Sequence, residues 1–347
     1  MYKPNYHITD KILNQIGKIE AIHARVNESY ILPEREVEMR FRATVEATQS
    51  STSIEGNPLN IRQVEQVSSN QRLTRHQYAE IEVKNYKQAL DYIAKRKRKK
   101  TSLNVDDILR IHRIITHGLL PDEKSGNWRR NKVYIEDRHG NVVYTGPEAR
   151  KVPRLINELL RWLETKGKEI HPVLAAAIFH IELVSIHPFA DGNGRVTRAL
   201  TMLILGLREF DFRGSIVLDT YYSMVKREYY TALSVGNNYS ERAKANLNPW
   251  IGYFIAGFLS AAKVLNVEIT VLANLARPVF DKERMSLDDA DILSYAKRFG
   301  SVTISDVAGI LPNLSRRTAQ RKLRQFVRNG LLTTGGKGKN FKYLWRE

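Results

Sequence analysis

His187-Pro188-Phe189-Ala190-Asp191-Gly192-Asn193-Gly194-Arg195-Val196-Thr197-Arg198 is the stretch on which the reading of this chain turns. An apolar run from Val173 to Ile186 precedes it and another from Ala199 to Leu207 follows, so it reads as a loop opening into the N-terminus of a helix. A helix N-terminus presents unpaired N–H groups and the positive end of the peptide dipole, and together these attract anions. Gly192-Asn193-Gly194 lets the backbone turn with positive φ and lets a ligand approach without meeting a Cβ. Successive N–H groups in such a turn form a concave anion nest. Arg195 and Arg198 are three apart and share a helix face, and each is a planar fork of donors suited to phosphate oxygens. So much positive character implies several negative charges on the ligand, as on a di- or triphosphate. Asp191 would repel bare phosphates, which calls for a cation such as Mg²⁺ between them. His187 precedes Asp191 by four residues, and an unperturbed imidazole suits a general base. Singly, a histidine before proline ordinarily ends a helix and a Gly-Asn-Gly ordinarily makes a turn. Their assembly within twelve residues points to chemistry.

The same stretch resembles the Fic motif, His-Pro-Phe-x-Asp/Glu-Gly-Asn-Gly-Arg-x-x-Arg, at every fixed position. Fic enzymes are mostly adenylyltransferases, which move AMP from ATP onto a protein hydroxyl. The resemblance implies that His187 is catalytic and takes the proton of a Ser, Thr or Tyr hydroxyl. It implies that Asp191 holds Mg²⁺ at the α- and β-phosphates of ATP, while Gly192, Asn193 and Gly194 cradle the α/β-phosphate oxygens. Arg195 and Arg198 would contact the phosphate tail, with Phe189 as the buried anchor of the loop. A Doc-like branch that phosphorylates replaces the second glycine with a lysine-bearing loop, so Gly194 favours AMP transfer.

The rest of the chain reads as helical almost throughout, with patterns at about 9–26, 33–55, 60–67, 74–95, 104–118, 150–165, 171–186, 193–208, 221–235 and 248–275. The fold class expected is mainly α: a Fic-type helical core with a β-hairpin flap, plus a small C-terminal winged-helix domain of α+β type. Residues 1–100 form an N-terminal helical region carrying an inhibitory helix at about 34–56, residues 101–277 the catalytic core, and residues 284–347 the winged helix-turn-helix. Pro278 and Asp281-Lys282-Glu283-Arg284 mark the last boundary. The basic run Lys95–Lys100 reads as a solvated loop between helices. With no cysteine, disulfides, thiolate zinc sites and cysteine nucleophiles are excluded, and a reducing cytoplasm is the simplest home. The apolar runs read as too short or too interrupted to span a bilayer, and the first residues lack the apolar core of a signal peptide, so no membrane is expected among the partners.

One segment breaks the helical period. Lys132–Ile135 and Val142–Tyr144 are β-rich runs around a Gly-Asn turn, and they read as a hairpin spanning 131–144. By resemblance it is a flap over the active site that aligns a protein target by strand addition. Upstream, Ser51, Glu55 and Gly56 match an inhibitory Ser/Thr-x-x-x-Glu-Gly/Asn motif of many Fic proteins. There the glutamate pairs with the second motif arginine, here Arg198, in competition with the γ-phosphate. In some Fic enzymes the same glutamate helps water remove AMP from a modified protein, so a de-AMPylating enzyme stays open. Tyr229-Tyr230, followed by Asn237, resembles the adenine pocket, with Tyr230 against the base and Asn237 on its edge.

The net charge of +18 asks for an acidic partner. Residues 284–347 carry thirteen Lys and Arg against five Asp and Glu. Three helical patterns, at 288–299, 304–311 and 315–329, precede two strand-like runs, Leu331–Thr334 and Phe341–Trp345, joined by a Gly-Gly-Lys-Gly-Lys turn. Arg316, Arg317, Arg321 and Lys322 on the third helix are candidate nucleic-acid contacts, with protein contact or homodimerisation as the other use of such a domain. Two readings of the whole therefore stand: an autoinhibited protein adenylyltransferase, or a DNA-binding regulator whose Fic core senses nucleotide.

Overall fold

The structure is a computed structural model that describes residues 2–69, 71, 77–136, 139–276, 286–336 and 341–346. Contacts divide the chain into two units, Met1–Ala24 with Thr44–Val264 and Arg25–Ala43 with Leu265–Glu347. This differs from a division into three sections: residues 1–24 and 44–100 share a unit with the segment that follows them, while 25–43 fall in the other unit. One continuous helix contributes its first half to one unit and its second half to the other. The expected boundary at Pro278 and 281–284 lies outside the described residues.

The first unit contains most of α1 (Asp10–Glu28) and the second half of α2 (Pro33–Ile54), followed by α3 (Ile61–Ser68), α4 (Gln77–Arg96) and α5 (Val105–Thr116). Asn60 and Asn104 start α3 and α5 with reciprocal capping boxes. A hairpin of β1 (Tyr134–Glu136) and β2 (Val142–Thr145) comes next. Then follow α6 (Val152–Glu164), α7 (Lys166–Glu169), α8 (Pro172–Ile186), α9 (Asn193–Leu207), α10 (Asp219–Met224), α11 (Lys226–Leu233), α12 (Tyr239–Arg242) and α13 (Asn248–Ala276), whose residues from Leu265 onward belong to the other unit. Helix α8 is apolar all round and buried from Val173 to Leu183, which makes it the axis of this core. It packs on α6 and α9, and α9 packs on α4 and α5. The loop between α8 and α9 is therefore held by the most buried helices of the unit.

Strands β1 and β2 pair antiparallel, with Tyr134 opposite Thr145 and Ile135 opposite Tyr144. The turn residues Asp137 and Arg138 lie outside the described residues. A lone two-stranded hairpin is marginal in water. This one is anchored where the Tyr144 hydroxyl donates to Ser185 O (2.7 Å) and the Thr145 N–H donates to Asn237 O (2.9 Å).

Three expectations need correction. The pattern at 221–235 is two helices, because Val225 leaves helical geometry at φ −124°, ψ 51°. Lys95–Lys100 is only in part a solvated loop, with Lys95, Lys99 and Lys100 exposed. Lys95 and Arg96 end α4, and Lys97–Lys99 forms a 3-10 turn. Arg96 is buried and forks onto Asp107 with both bonds at 2.7 Å, Lys97 pairs with Asp211, and Lys100 pairs with Glu209 at 2.6 Å. The acids that neutralise the run come from distant parts of the chain. Finally, Asn248–Ala273 of α13 is long and apolar enough to cross a membrane by length and composition. In this structure its Trp250, Phe254 and Phe258 are fully buried, and the Trp250 indole donates to Ala177 O in α8 (2.7 Å).

The second unit has α14 (Leu287–Phe299), β3 (Ser301–Val302), α15 (Ile304–Ile310), α16 (Arg316–Arg328), β4 (Leu332–Gly335) and β5 (Lys342–Trp345). Ser286, Thr303 and Ser315 cap its helices, and Gly300 stops α14 at φ 69°. The sheet is antiparallel in the order β3-β5-β4. Strand β3 adds a third member to the expected two-stranded wing, and its two residues are too few to show an alternating pattern. Ile292, Leu293, Leu323, Phe326 and Tyr343 form the centre of this core. Of the Gly-Gly-Lys-Gly-Lys turn, residues 337–339 lie outside the described residues.

Candidate active site

The loop from 187 to 192 owes its shape to Asn193 and Phe189. Asn193 is buried, and its side-chain amide donates to Phe189 O and accepts from Phe189 N–H, both at 2.9 Å. That amide is spent on closing the loop, so only the Asn193 backbone is left for a phosphate. Phe189 is fully buried, stacked on His112 (centroids 3.7 Å apart, 4° between planes) and on Trp128 (5.2 Å). The Gly126 N–H donates to His112 Nδ1 (2.8 Å), which leaves the imidazole proton on Nε2, aimed at Asp191 O (3.1 Å). Burial pushes His112 down to about 4 and keeps it neutral. Gly192 turns the chain at φ 78°. Gly194 is already helical, so its lack of a side chain serves another purpose.

His187 ends α8 in left-handed geometry, φ 48° and ψ 61°. Its Nδ1 lies 3.2 Å from Val184 O. A carbonyl only accepts, so the proton sits on Nδ1 and the lone pair of Nε2 remains open. Burial pushes this imidazole down to about 4, again in favour of the neutral form.

Arg198 lies on α9, almost fully buried. Its Nε donates to Ser51 Oγ (2.8 Å), and its Nη2 donates to Ser51 O (2.9 Å) and to Glu55 Oε1 (2.7 Å). Asp219 Oδ1 lies 3.2 Å from Nε as a second counter-ion. Burial alone would raise the Glu55 carboxyl, but Arg198, Arg195 and Lys226 hold it below its ordinary value. Glu55 follows the last turn of α2, and Gly56 then reverses the chain at φ 100°. A Cβ on Gly194 would collide with Glu55 Oε1 and come within 3.0 Å of Arg198 Nη1. The second glycine of the loop is thus what admits the glutamate.

Arg195 is also buried and ion-paired with Glu82, while its Nη2 is 3.7 Å from Asp191 Oδ2. Glu82 Oε2 accepts from Asn57 Nδ2 (2.6 Å) and so ties the turn after Glu55 to the loop arginine. Asp191 is 59% exposed, with Oδ1 accepting from Gly192 N–H (2.6 Å). Among the described residues no group of three or more His, Cys, Asp or Glu forms a metal cage. One exposed carboxylate beside an anion-binding loop fits Mg²⁺, which is commonly held by one or two carboxylates plus phosphate oxygens.

Around this centre, Tyr229 is buried with its hydroxyl 3.0 Å from His180 Nε2, while Tyr230 and Asn237 are exposed. The Tyr230 hydroxyl is pushed up to about 12, by partial burial and then by the charge of Glu55. Asn237 lends its backbone to the hairpin and to Glu241, so the structure fixes its position without committing its side-chain amide. On α16, Arg316, Arg317 and Arg321 are exposed. Lys322 is not available to a nucleic acid: it pairs with Asp289 at 2.6 Å and bonds Ser286 within its own unit. Sequence reasoning missed His112, Glu82, Asp219 and Arg129, which reach the 187–198 stretch from elements remote in sequence, and Asn57, which holds Glu82.

Residues 102–205 match the model of the Fic/DOC family, and this part of the chain is a Fic domain. The chain is 38% identical over 108 residues to a protein adenylyltransferase Fic of Nematostella vectensis, covering 31% of this chain and 24% of the relative. It is 37% identical over 118 residues to a protein adenylyltransferase Fic of Drosophila melanogaster, covering 34% of this chain and 23% of the relative. The chain thus spans about a quarter of the length of the curated relatives it matches. A crystal structure of a Fic family protein from Desulfovibrio desulfuricans is similar over 99% of this chain and 98% of that one, with a TM-score of 0.65 and 24% identity. That likeness shows the fold.

Proposed function

We propose that this protein transfers AMP from ATP to a Ser, Thr or Tyr hydroxyl of a protein target, and that Glu55 holds the site off at rest. The carrying observation is His187, whose Nδ1 is committed to Val184 O while a neutral Nε2 is left open beside an anion-binding helix terminus. In the forward reaction Nε2 accepts the hydroxyl proton and the hydroxyl oxygen bonds to the α-phosphorus. The α–β P–O bond breaks, pyrophosphate leaves, and the imidazolium returns its proton to solvent. The Gly192–Gly194 backbone and the positive end of α9 stabilise charge on the phosphates as it shifts. Asp191 would hold Mg²⁺, which supplies charge neutralisation at the phosphates when bound.

The regulatory part rests on Arg198. With Glu55 on Nη2 and Ser51 on Nε, the guanidinium edge that a γ-phosphate would use is occupied. ATP must displace the carboxylate before its phosphate tail reaches Arg198. The hairpin at 131–145 is the site proposed for the target strand; Tyr134, Val142 and Val143 on it are exposed.

ATP labelled at the α-phosphorus, compared with ATP labelled at the γ-phosphorus, tests the reaction with heat-inactivated lysate protein as acceptor. AMP transfer predicts protein labelling from the first only, and its loss in His187→Ala. Labelling from the γ-phosphate, or an undiminished His187→Ala signal, would refute it.

A second activity is favoured by the surface of α16. Arg317, Arg321, Arg324 and Arg328 recur at helical spacing, all exposed, and none has an ion pair among the described residues. Such a stripe suits the phosphates of duplex DNA. Arg321→Glu with Arg324→Glu should abolish a low-salt gel shift that Lys322→Gln leaves intact. Absence of any shift with the unmodified protein at low salt would exclude DNA.

A further inference from the structure

Arg129 lies just before the hairpin and is buried, with 6% of its surface exposed. A buried guanidinium ordinarily faces a carboxylate, since removing a charge from water costs several kcal/mol unless it is paired. Here the partners are backbone carbonyls. Nε donates to His187 O (2.7 Å), Nη1 to Asn131 O (2.7 Å), and Nη2 to Pro147 O (2.6 Å) and Ile186 O (3.4 Å). The Arg129 backbone N–H adds a bond to Pro188 O (2.9 Å). No ion pair to Arg129 occurs among the described residues.

Those carbonyls come from three places. Asn131 precedes β1, Pro147 follows β2, and Ile186 and His187 end α8. Both stems of the hairpin and the left-handed turn at His187 therefore converge on a single guanidinium. The stems approach closely only because Gly146 has no side chain: a Cβ there would collide with Val133 and come within 3.3 Å of Arg129 Nη2. Gly146 N–H also donates to Val133 O (3.1 Å), closing the hairpin base over the arginine.

A planar fork with donors on three nitrogens fixes three backbone segments at once, which a lysine ammonium cannot do with the same geometry. The hairpin would carry the target and His187 the base, so their separation governs whether the hydroxyl meets Nε2. Displacement by about 1 Å at a reacting centre costs on the order of 100-fold in rate. We infer that Arg129 is a positioning residue that locks the target-docking hairpin to the backbone of His187, setting the base at a fixed distance from the incoming hydroxyl. This inference rests on the functional reading above. It adds a residue that touches neither ATP nor the hydroxyl.

Arg129→Lys and Arg129→Ala, each built on the Glu55→Gly protein, test it with α-labelled ATP and lysate protein as acceptor. Arg129→Ala should lower kcat by about 100-fold and leave the KM for ATP within a factor of about two. Arg129→Lys, which keeps the charge and loses the fork, should fall between, and millimolar guanidinium should partly restore Arg129→Ala. If Arg129→Ala does not fold, Arg129→Lys decides alone. Parent-like kcat in a folded variant overturns the inference, as does a fall in which the KM for ATP rises with the loss of kcat. Nitrogen-15 NMR of the His187 imidazole reports position without turnover: the Nδ1–H signal should be sharp in the parent and broadened or shifted in Arg129→Lys. If the Glu55→Gly parent transfers no AMP, the functional reading fails, and this signal still judges the arginine. An unchanged signal in Arg129→Lys overturns its role.

Discussion

Replacing Gly194 by alanine separates two purposes of the loop glycine. If Gly194 serves only backbone freedom, alanine should be harmless, because the residue already has helical geometry near the start of α9. Alanine in a helix is favoured over glycine by about 0.5–1 kcal/mol. The structure gives the substitution a different sign. The new methyl would meet Glu55 Oε1, and the carboxylate must shift from its present place on Arg198. The bond lost is a charge-assisted one at 2.7 Å to an arginine that is 1% exposed, and hydrogen bonds to charged groups contribute about 1.5–3 kcal/mol. Arg198 keeps Ser51 and Asp219, so the loss is that of one bond and not of a bare buried charge. Gly194→Ala should therefore destabilise the unmodified protein by up to about 0.5–2.5 kcal/mol after the helical gain. In the Glu55→Gly background the same change should stabilise it by about 0.5–1 kcal/mol. Urea unfolding of the four proteins gives the coupling directly. Equal effects in the two backgrounds, within about 0.5 kcal/mol, would refute the argument that the glycine exists to admit the glutamate.

Other residues of the site make separate demands. Asn193→Leu removes both bonds that close the loop, leaves Phe189 N–H and O unpaired, and should cost about 1–3 kcal/mol for each in urea unfolding. His112→Phe keeps the stack on Phe189 but orphans the Gly126 N–H, at a cost of about 1–3 kcal/mol near neutral pH. It should also flatten the acid limb of stability. His112 stays neutral to about 4 when folded but protonates near 6.5 when unfolded, so the unmodified protein loses stability as pH falls through that window. With the lone pair of His187 available down to about 4, kcat of the Glu55→Gly protein at saturating ATP should stay level from neutrality to about pH 5 and then fall. A midpoint near 6.5 would show an imidazole exposed to water.

The loop from His187 to Arg198 was legible because its chemistry is contiguous: base, carboxylate, glycines and arginines lie within one turn and the start of one helix. The helices around it were legible from apolar spacing and from caps such as Asn60, Asn104 and Ser315. Glu55 was legible only through a family pattern. Its partner is 143 residues away, and no spacing rule connects the end of α2 to the second turn of α9. Arg129, His112 and Glu82 were not legible, since each is a lone polar residue whose meaning comes from the packing of another element. The basic run at 95–100 misled for the same reason. Arg96 and Lys97 look solvated until Asp107 and Asp211 are folded against them. Gly194 is an intermediate case: the residue was singled out, but its purpose is visible only when Glu55 is in place.

Under the proposed function, one buried arginine is contested by Glu55 and the phosphate tail of ATP. The most direct test is the initial rate of AMP transfer from α-labelled ATP by unmodified and Glu55→Gly proteins, with Glu55→Gly/His187→Ala as the blank. Releasing a competing bond of about 1.5–3 kcal/mol should raise the rate roughly 10- to 150-fold at subsaturating ATP, with no signal from the double variant. Equal rates for the unmodified and Glu55→Gly proteins, with the double variant silent, would contradict it.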